Sequence, residues 1–332
     1  MVSRTFLVER IASLVGTDVL HISSVQDGWP AIGSLLVDED WVPVSLFVSS
    51  IGLSGRNRDH VERRFQNPGT NRPIVVPPGT RPLLLGLFEA DAGLHTSRPV
   101  LVSADPIRRI GRVTRYSVFA RVGSLQAANA TGWVEDHSNT DEAIRCFLPP
   151  LLPVTVLADI SEVDLPTEGL RMAVQASGLD DPIDEDDEMA AGDRTRRATT
   201  ALVRDARFGR QVVAAYDGLC AMCEIDLDLV QGAHIYPASA PFSPDKTWNG
   251  LSLCANHHLA FDRHMVWVNP SDRAVALHPR IHEQSESKPA VEALINTTKA
   301  HLMEPKNTRL RPRSEMFEKR YDHFTDRYAW AG

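Results

Sequence analysis

Cys220 and Cys223 stand as C-x2-C, and further along Cys254 and His257 repeat the interval as C-x2-H. That interval lets a tight turn aim two donors at one tetrahedral ion, so two matched half-sites make the four-ligand set that closes a structural zinc site. His258 follows directly and could reach the same ion if the turn after Cys254 is tighter or looser. Between the half-sites lies A-H-I-Y-P, which puts His234 after the strand-like V-Q-G-A-H-I. Asn249-Gly250 then turns the chain into residues 251–254, and a helix beginning near Ala255 carries His258 and Asp262 four residues apart on one face. An imidazole and a carboxylate on one helix face, opposite a histidine on a strand, can hold a divalent ion while that histidine takes a proton from water. Such a set suffices for metal-assisted phosphodiester hydrolysis.

These residues need elements to position them. Asp193 can cap a helix running through Ala201, Leu202, Phe208, Val212, Val213 and Tyr216 and ended by Asp217-Gly218, which delivers the chain to the first knuckle. Near the end, Ser314 caps a helix whose Phe317, Tyr321, Phe324 and Tyr328 form one apolar stripe suited to core or dimer packing. Upstream, residues 4–15 have helical apolar spacing, whereas 41–51, 82–89, 99–103 and 116–122 are apolar or alternating runs bounded by Gly, Pro and Asp, as strands are. Residues 148–160, with Pro149, Pro150 and Pro153, read as an edge strand closing that domain. The fold class is α+β: a strand-rich N-terminal domain over 1–178, a linker over 179–192 and a C-terminal domain over 193–332.

The composition fits two domains: 332 residues, 43% hydrophobic and 23% charged, are enough to bury real cores. No charged-then-apolar leader opens the chain, and no apolar run approaches the roughly 18 residues of a membrane span, so a cytoplasmic protein without membrane contact is expected. Three of the four cysteines sit in the knuckles, which speaks for metal rather than disulfides; Cys146 reads as a buried structural thiol. No glycine loop followed by Lys and Ser or Thr is present to bind nucleotide phosphates.

The net charge is −8, and much of the acidity lies in L-D-D-P-I-D-E-D-D-E at 179–188, which cannot bury apolar area. Ahead of it every basic residue is arginine; the first lysine is Lys246. Two arginine groups stand out: Arg56, Arg58, Arg63 and Arg64, and then Arg108, Arg109, Arg112 and Arg115. Either could line a phosphate track, since arginine presents a planar fork to phosphate and guanine, or form a solvated face paired with Asp59 and Glu62. Trp29, Trp41 and Trp133 are core residues or, for one of them, a stacking platform.

Residues 208–281 resemble the HNH, or ββα-metal, nuclease family, in the zinc-knuckle branch of prokaryotic restriction endonucleases. The resemblance rests on C-x2-C, A-H-I-x-P, N-G-L-x-L-C-x2-H-H and F-D in one order. It implies that His234 is the general base, that Asn249 orders the loop positioning it, and that His258 and Asp262 ligate the catalytic ion. Relatives often carry Asp or His just before the base, where this chain has Ala233, so fewer protein ligands would hold the ion. Asp262, often histidine in relatives, offers a hard oxygen suited to Mg2+ or Mn2+. The implied protein is a homodimeric restriction endonuclease with structural Zn2+, cutting unmodified or modified double-stranded DNA that its N-terminal domain recognises. Two other readings remain open: a nuclease effector of anti-phage defence with little sequence preference, and a zinc-containing DNA-binding protein that cuts weakly or not at all.

Overall fold

In the computed structural model, which describes residues 3–55, 57–69, 72–165, 167–180 and 185–331, the chain divides into two units, 1–203 and 204–332. The first opens with α1 (Arg4–Val15), capped by the Ser3 hydroxyl on the Phe6 N–H, and continues through β1 (Leu20–Ser24), β2 (Ala31–Val37) and β3 (Asp40–Ser50). Then follow β4 (Gly52–Leu53), β5 (Glu62–Gln66), β6 (Arg81–Phe88), β7 (Val100–Ala104) and β8 (Ser117–Arg121). A helix, α2 (Val122–Thr131), leads into β9 (Trp133–His137) and β10 (Ala143–Phe147).

Seven of these strands form one sheet in the order β1-β2-β3-β6-β7-β10-β9, antiparallel except for the β3–β6 pair, and β4-β5-β8 form a second. The central strands are buried on both faces, which is why 41–51 and 82–89 read as apolar runs rather than alternations. One face packs Leu35, Leu46, Leu85 and Trp133 with Val8 and Ile11 of α1; the other packs Phe47, Leu84 and Val102 with Phe65 and Val118 of the smaller sheet. Cys146 is fully buried there, and burial pushes its thiol up to about 12, in keeping with a structural role.

The expected edge strand at 148–160 is instead a 3-10 turn, Pro149–Leu151, followed by α3 (Leu152–Ser161). Proline is tolerated in the first turn of a helix, where its missing N–H would have no partner, so the prolines that argued for a strand edge start a helix. Next come α4 (Thr167–Ser177) and the long α5 (Glu185–Ala215). Of the acidic stretch, 181–184 lie outside the described residues. From Glu185 the chain is already helical, eight positions before Asp193, so Asp193 lies inside the helix rather than capping it.

The second unit takes over within α5, at Arg204. Its centre is the antiparallel pair β11 (Val230–His234) and β12 (Gly250–Cys254), registered from Val230 opposite Cys254 to His234 opposite Gly250, with α6 (Ala255–Asp262) following at once. The hairpin β13 (Val266–Val268) and β14 (Val275–Leu277) comes next, then α7 (Pro279–Ser285), α8 (Pro289–Thr297), α9 (Ser314–His323) and α10 (Thr325–Tyr328). Ser314 is the first helical residue rather than the cap, and the last helix breaks at Phe324, so the apolar stripe is shared by two helices; Phe317 and Tyr328 are buried. Phe208 and Val212 of α5, with Tyr216 just beyond it, pack with Leu251, Leu253, Phe261 and Phe317. Glycines permit that approach: a Cβ on Gly232 would lie 2.6 Å from the Gly209 Cα, and one on Gly250 would lie 2.3 Å from a Val212 methyl. Among the described residues no helix is long and apolar enough to cross a membrane.

Candidate active site

The ββα arrangement gathers two groups of side chains. In the first, Cys220, Cys223, Cys254 and His257 have donor atoms all within 4.8 Å of one another. Cys223 Sγ lies 3.9 Å from Cys254 Sγ, and His257 Nδ1 lies 3.6 Å from Cys220 Sγ and 3.2 Å from Cys254 Sγ. A tetrahedral zinc with Zn–S near 2.3 Å and Zn–N near 2.05 Å needs sulfur–sulfur edges of about 3.8 Å and sulfur–nitrogen edges of about 3.6 Å, so the donor set fits the ion. Burial raises the Cys220 thiol and pushes that of Cys223 up to about 12, while it lowers His257. Clustered thiols of this kind ionise when a cation compensates them. Cys254 caps α6 and His257 sits in its first turn, which puts His257 rather than His258 with the cysteines.

The second group surrounds His234, at the end of β11. Its Nε2 lies 2.9 Å from Asp245 Oδ1, and its ring stacks on Phe208 at 3.7 Å between centroids and 13° between planes. A carboxylate only accepts, so Nε2 carries the proton of that bond and Nδ1 is the basic nitrogen. Asp245 belongs to the loop between the strands, which Asn249 holds. The Asn249 side chain is fully buried; its oxygen accepts from the Tyr236 N–H at 2.9 Å, and its nitrogen lies 3.1 Å from the carbonyls of Tyr236 and Pro244 and 3.3 Å from Ser243 Oγ. One amide thus pins both ends of the turn that presents Asp245. Asp205, three residues before Phe208, also feels this site: burial raises its carboxyl, His234 lowers it and Asp245 raises it, with a net upward shift.

His258 and Asp262 pair with each other across one turn of α6, Nε2 to Oδ2 at 3.4 Å. His234 is paired with Asp245 instead. Among the described residues the cysteine–histidine cluster is the one group of three or more donors spaced to share an ion, so His258 and Asp262 form a two-donor pair without His234 as a close third. Arg320 joins the strand to the helix. It is 2% exposed, donates from Nη1 to the Ile235 carbonyl at 3.0 Å and from Nη2 to the Phe261 carbonyl at 2.6 Å, and lies 3.9 Å over the Phe261 ring. Its Nε donates to the Tyr328 hydroxyl at 2.6 Å. The residue after His234 and the residue before Asp262 are therefore held by one guanidinium.

Asp245 and Arg320 were not singled out by sequence reasoning, and Phe208 was read there only as an apolar helix position. Arg320 left a faint signal, a charge three residues after Phe317 and so on the side of the apolar stripe. Asp245 left none, because loop residues carry no periodicity.

In the first unit, Arg58, Arg108, Arg109 and Arg112 from the two sequence groups line one cavity of about 590 Å³, together with Arg121. Arg109, also in the lining, is buried and bidentate on Glu142, Nη2 to Oε2 at 2.7 Å. Arg121 pairs with Asp136 at 2.6 Å, Arg58 with Glu62 at 3.5 Å and Arg108 with Asp105 at 3.6 Å, while Arg112 is exposed. Arg63 is buried against the Asp59 carbonyl, Arg64 is half-buried on β5, Arg115 is exposed outside the cavity lining, and Arg56 lies outside the described residues. Trp29 and Trp133 are core residues, leaving Trp41 half exposed.

Residues 220–269 match the family model described as HNH endonuclease, the span that holds both donor groups. The second unit therefore carries an HNH endonuclease domain. Among solved structures, one described as a modification-dependent TagI restriction endonuclease aligns at 13% identity over 85% of this chain and 81% of that one, with a TM-score of 0.30, too loose a likeness to carry any argument. No curated protein matches the sequence.

Proposed function

We propose that the chain is a metal-dependent DNA endonuclease of the restriction type in which His234 is the general base. The observation that carries this reading is the His234–Asp245 bond within an HNH match. Asp245 fixes the tautomer of His234, and Phe208 fixes the plane of its ring. Nδ1 then takes a proton from water as the water oxygen bonds to phosphorus and one P–O ester bond breaks, the leaving oxygen taking a proton from solvent. His258 and Asp262 are the residues that would hold Mg2+ or Mn2+, and a divalent ion there supplies positive charge to the phosphate as the ester bond breaks. Ala233 stands in place of a third protein donor, so this chain would supply such an ion with two ligands, His258 and Asp262. Asn249 holds the loop that carries Asp245. Cys220, Cys223, Cys254 and His257 hold structural zinc.

The arginine-lined cavity supports DNA contact by the first unit. Arg58, Arg108 and Arg112 are the residues assigned to phosphate, whereas Arg109 is assigned to its pairing with Glu142. Cutting both strands needs two active sites or two visits, which favours a homodimer. Incubation of the protein with Mg2+ or Mn2+ and unmodified, methylated and hydroxymethylated plasmids tests this reading. Discrete fragments support restriction and a preference among the three identifies the target class; a smear supports an effector of low specificity, and intact plasmid in every ion overturns the nuclease reading.

A further inference from the structure

His257 makes a second contact outside the metal cluster. Its Nε2 lies 3.0 Å from the hydroxyl oxygen of Thr298, just beyond α8, and that oxygen lies 2.6 Å from the carbonyl of Leu294. A carbonyl cannot donate, so the one hydroxyl hydrogen of Thr298 goes to Leu294, and toward His257 the hydroxyl can only accept. Nε2 must then carry the ring proton, which leaves the Nδ1 lone pair facing Cys220 and Cys254. The segment carrying Thr298 is itself fastened to the knuckle. The Lys299 N–H donates to the Met222 carbonyl at 2.7 Å, the Met303 N–H to that of Ala221 at 2.8 Å, and Lys299 Nζ pairs with Glu224 at 2.8 Å.

From this we infer that Thr298 is a positioning residue for the zinc site, holding His257 in the tautomer and orientation that ligate through Nδ1. The inference rests on the zinc reading of the four-donor cluster and not on cleavage. Partners that orient a metal-bound imidazole commonly affect metal affinity by about 10–100-fold. Here the hydroxyl does so by accepting from the far ring nitrogen while it is anchored to the last turn of α8.

The test uses the full-length protein. Metal content is measured first, and absence of one zinc per chain would overturn the zinc reading itself, a failure distinct from any in cleavage. In protein with one zinc, Thr298→Val removes the hydroxyl at nearly constant shape, whereas Thr298→Ser keeps it. Zinc transfer to a chromogenic chelator is expected to be roughly 10–100-fold faster from the valine variant and close to wild type from the serine variant. In the wild type loaded with cadmium-113 and labelled with nitrogen-15, the metal should couple to Nδ1 of His257 while Nε2 remains protonated. Coupling to Nε2 overturns the inference, as does unchanged zinc release from Thr298→Val. The wild-type spectrum decides the question even if the valine variant does not fold.

Discussion

His234 Nε2 and Asp245 Oδ1 lie 2.9 Å apart, at the end of a strand and in a loop that Asn249 fastens from within. The pair gives the imidazole a fixed tautomer before any substrate arrives. Asp245→Asn should therefore lower the cleavage rate by roughly 10²–10⁴-fold, because the amide can present an N–H to Nε2 and favour the wrong tautomer. Asp245 is partly exposed, so thermal stability and zinc content should remain near wild type. Single-turnover cleavage with saturating ion checks this; an unchanged rate would remove Asp245 from the mechanism.

Arg320 spans the Ile235 and Phe261 carbonyls and the Tyr328 hydroxyl. Arg320→Met keeps apolar contact with Phe261 but leaves those three oxygens without their donor, each at a cost of about 1–3 kcal/mol. Urea denaturation should register a loss of at least about 2 kcal/mol from the second unit. A midpoint unchanged from wild type would contradict the cross-brace.

Zinc removal should act locally. The second unit has its own core, which includes Cys220 and Cys254 themselves, while the two cores of the first unit contain none of the four cluster residues. Chelation should therefore abolish hydrogen-exchange protection in β11, β12 and α6 and leave β3 and β6 protected. Uniform retention of protection would show that the cluster does not need its ion to stay folded.

The arginine cavity separates two roles. Arg112→Ala should weaken DNA binding with little dependence on sequence and reduce the slope of log affinity against log salt by about 1. Arg109→Ala should instead destabilise the first unit, because it leaves buried Glu142 without its partner. Binding titrations across salt together with thermal melts distinguish them, and an unchanged salt slope in Arg112→Ala excludes that residue from phosphate contact.

The four donors of the cysteine–histidine cluster were legible in the sequence because their spacing is dictated by turn geometry: C-x2-C and C-x2-H survive as local patterns. The choice between His257 and His258 was not, since it depends on where α6 begins; with Cys254 as the cap, His257 falls within the first turn. The strands at 41–51 and 82–89 announced themselves by burial on both faces, whereas 148–160 misled because prolines that end strands also begin helices. Asp245 and Arg320 escaped because each works through a contact distant along the chain, eleven residues in one case and 85 in the other, with no periodic signature. The two arginine groups looked alike in sequence, yet Arg63 is buried against the Asp59 carbonyl and Arg109 against Glu142, while Arg112 is exposed.

The most direct test is single-turnover cleavage by His234→Ala beside wild type in Mg2+ and in Mn2+, with zinc content and melting temperature measured on the same preparations. The account predicts one zinc per chain and a folded second unit in both proteins, with cleavage by the variant lower by at least about 10²-fold in either ion. Cleavage by His234→Ala at the wild-type rate would contradict it.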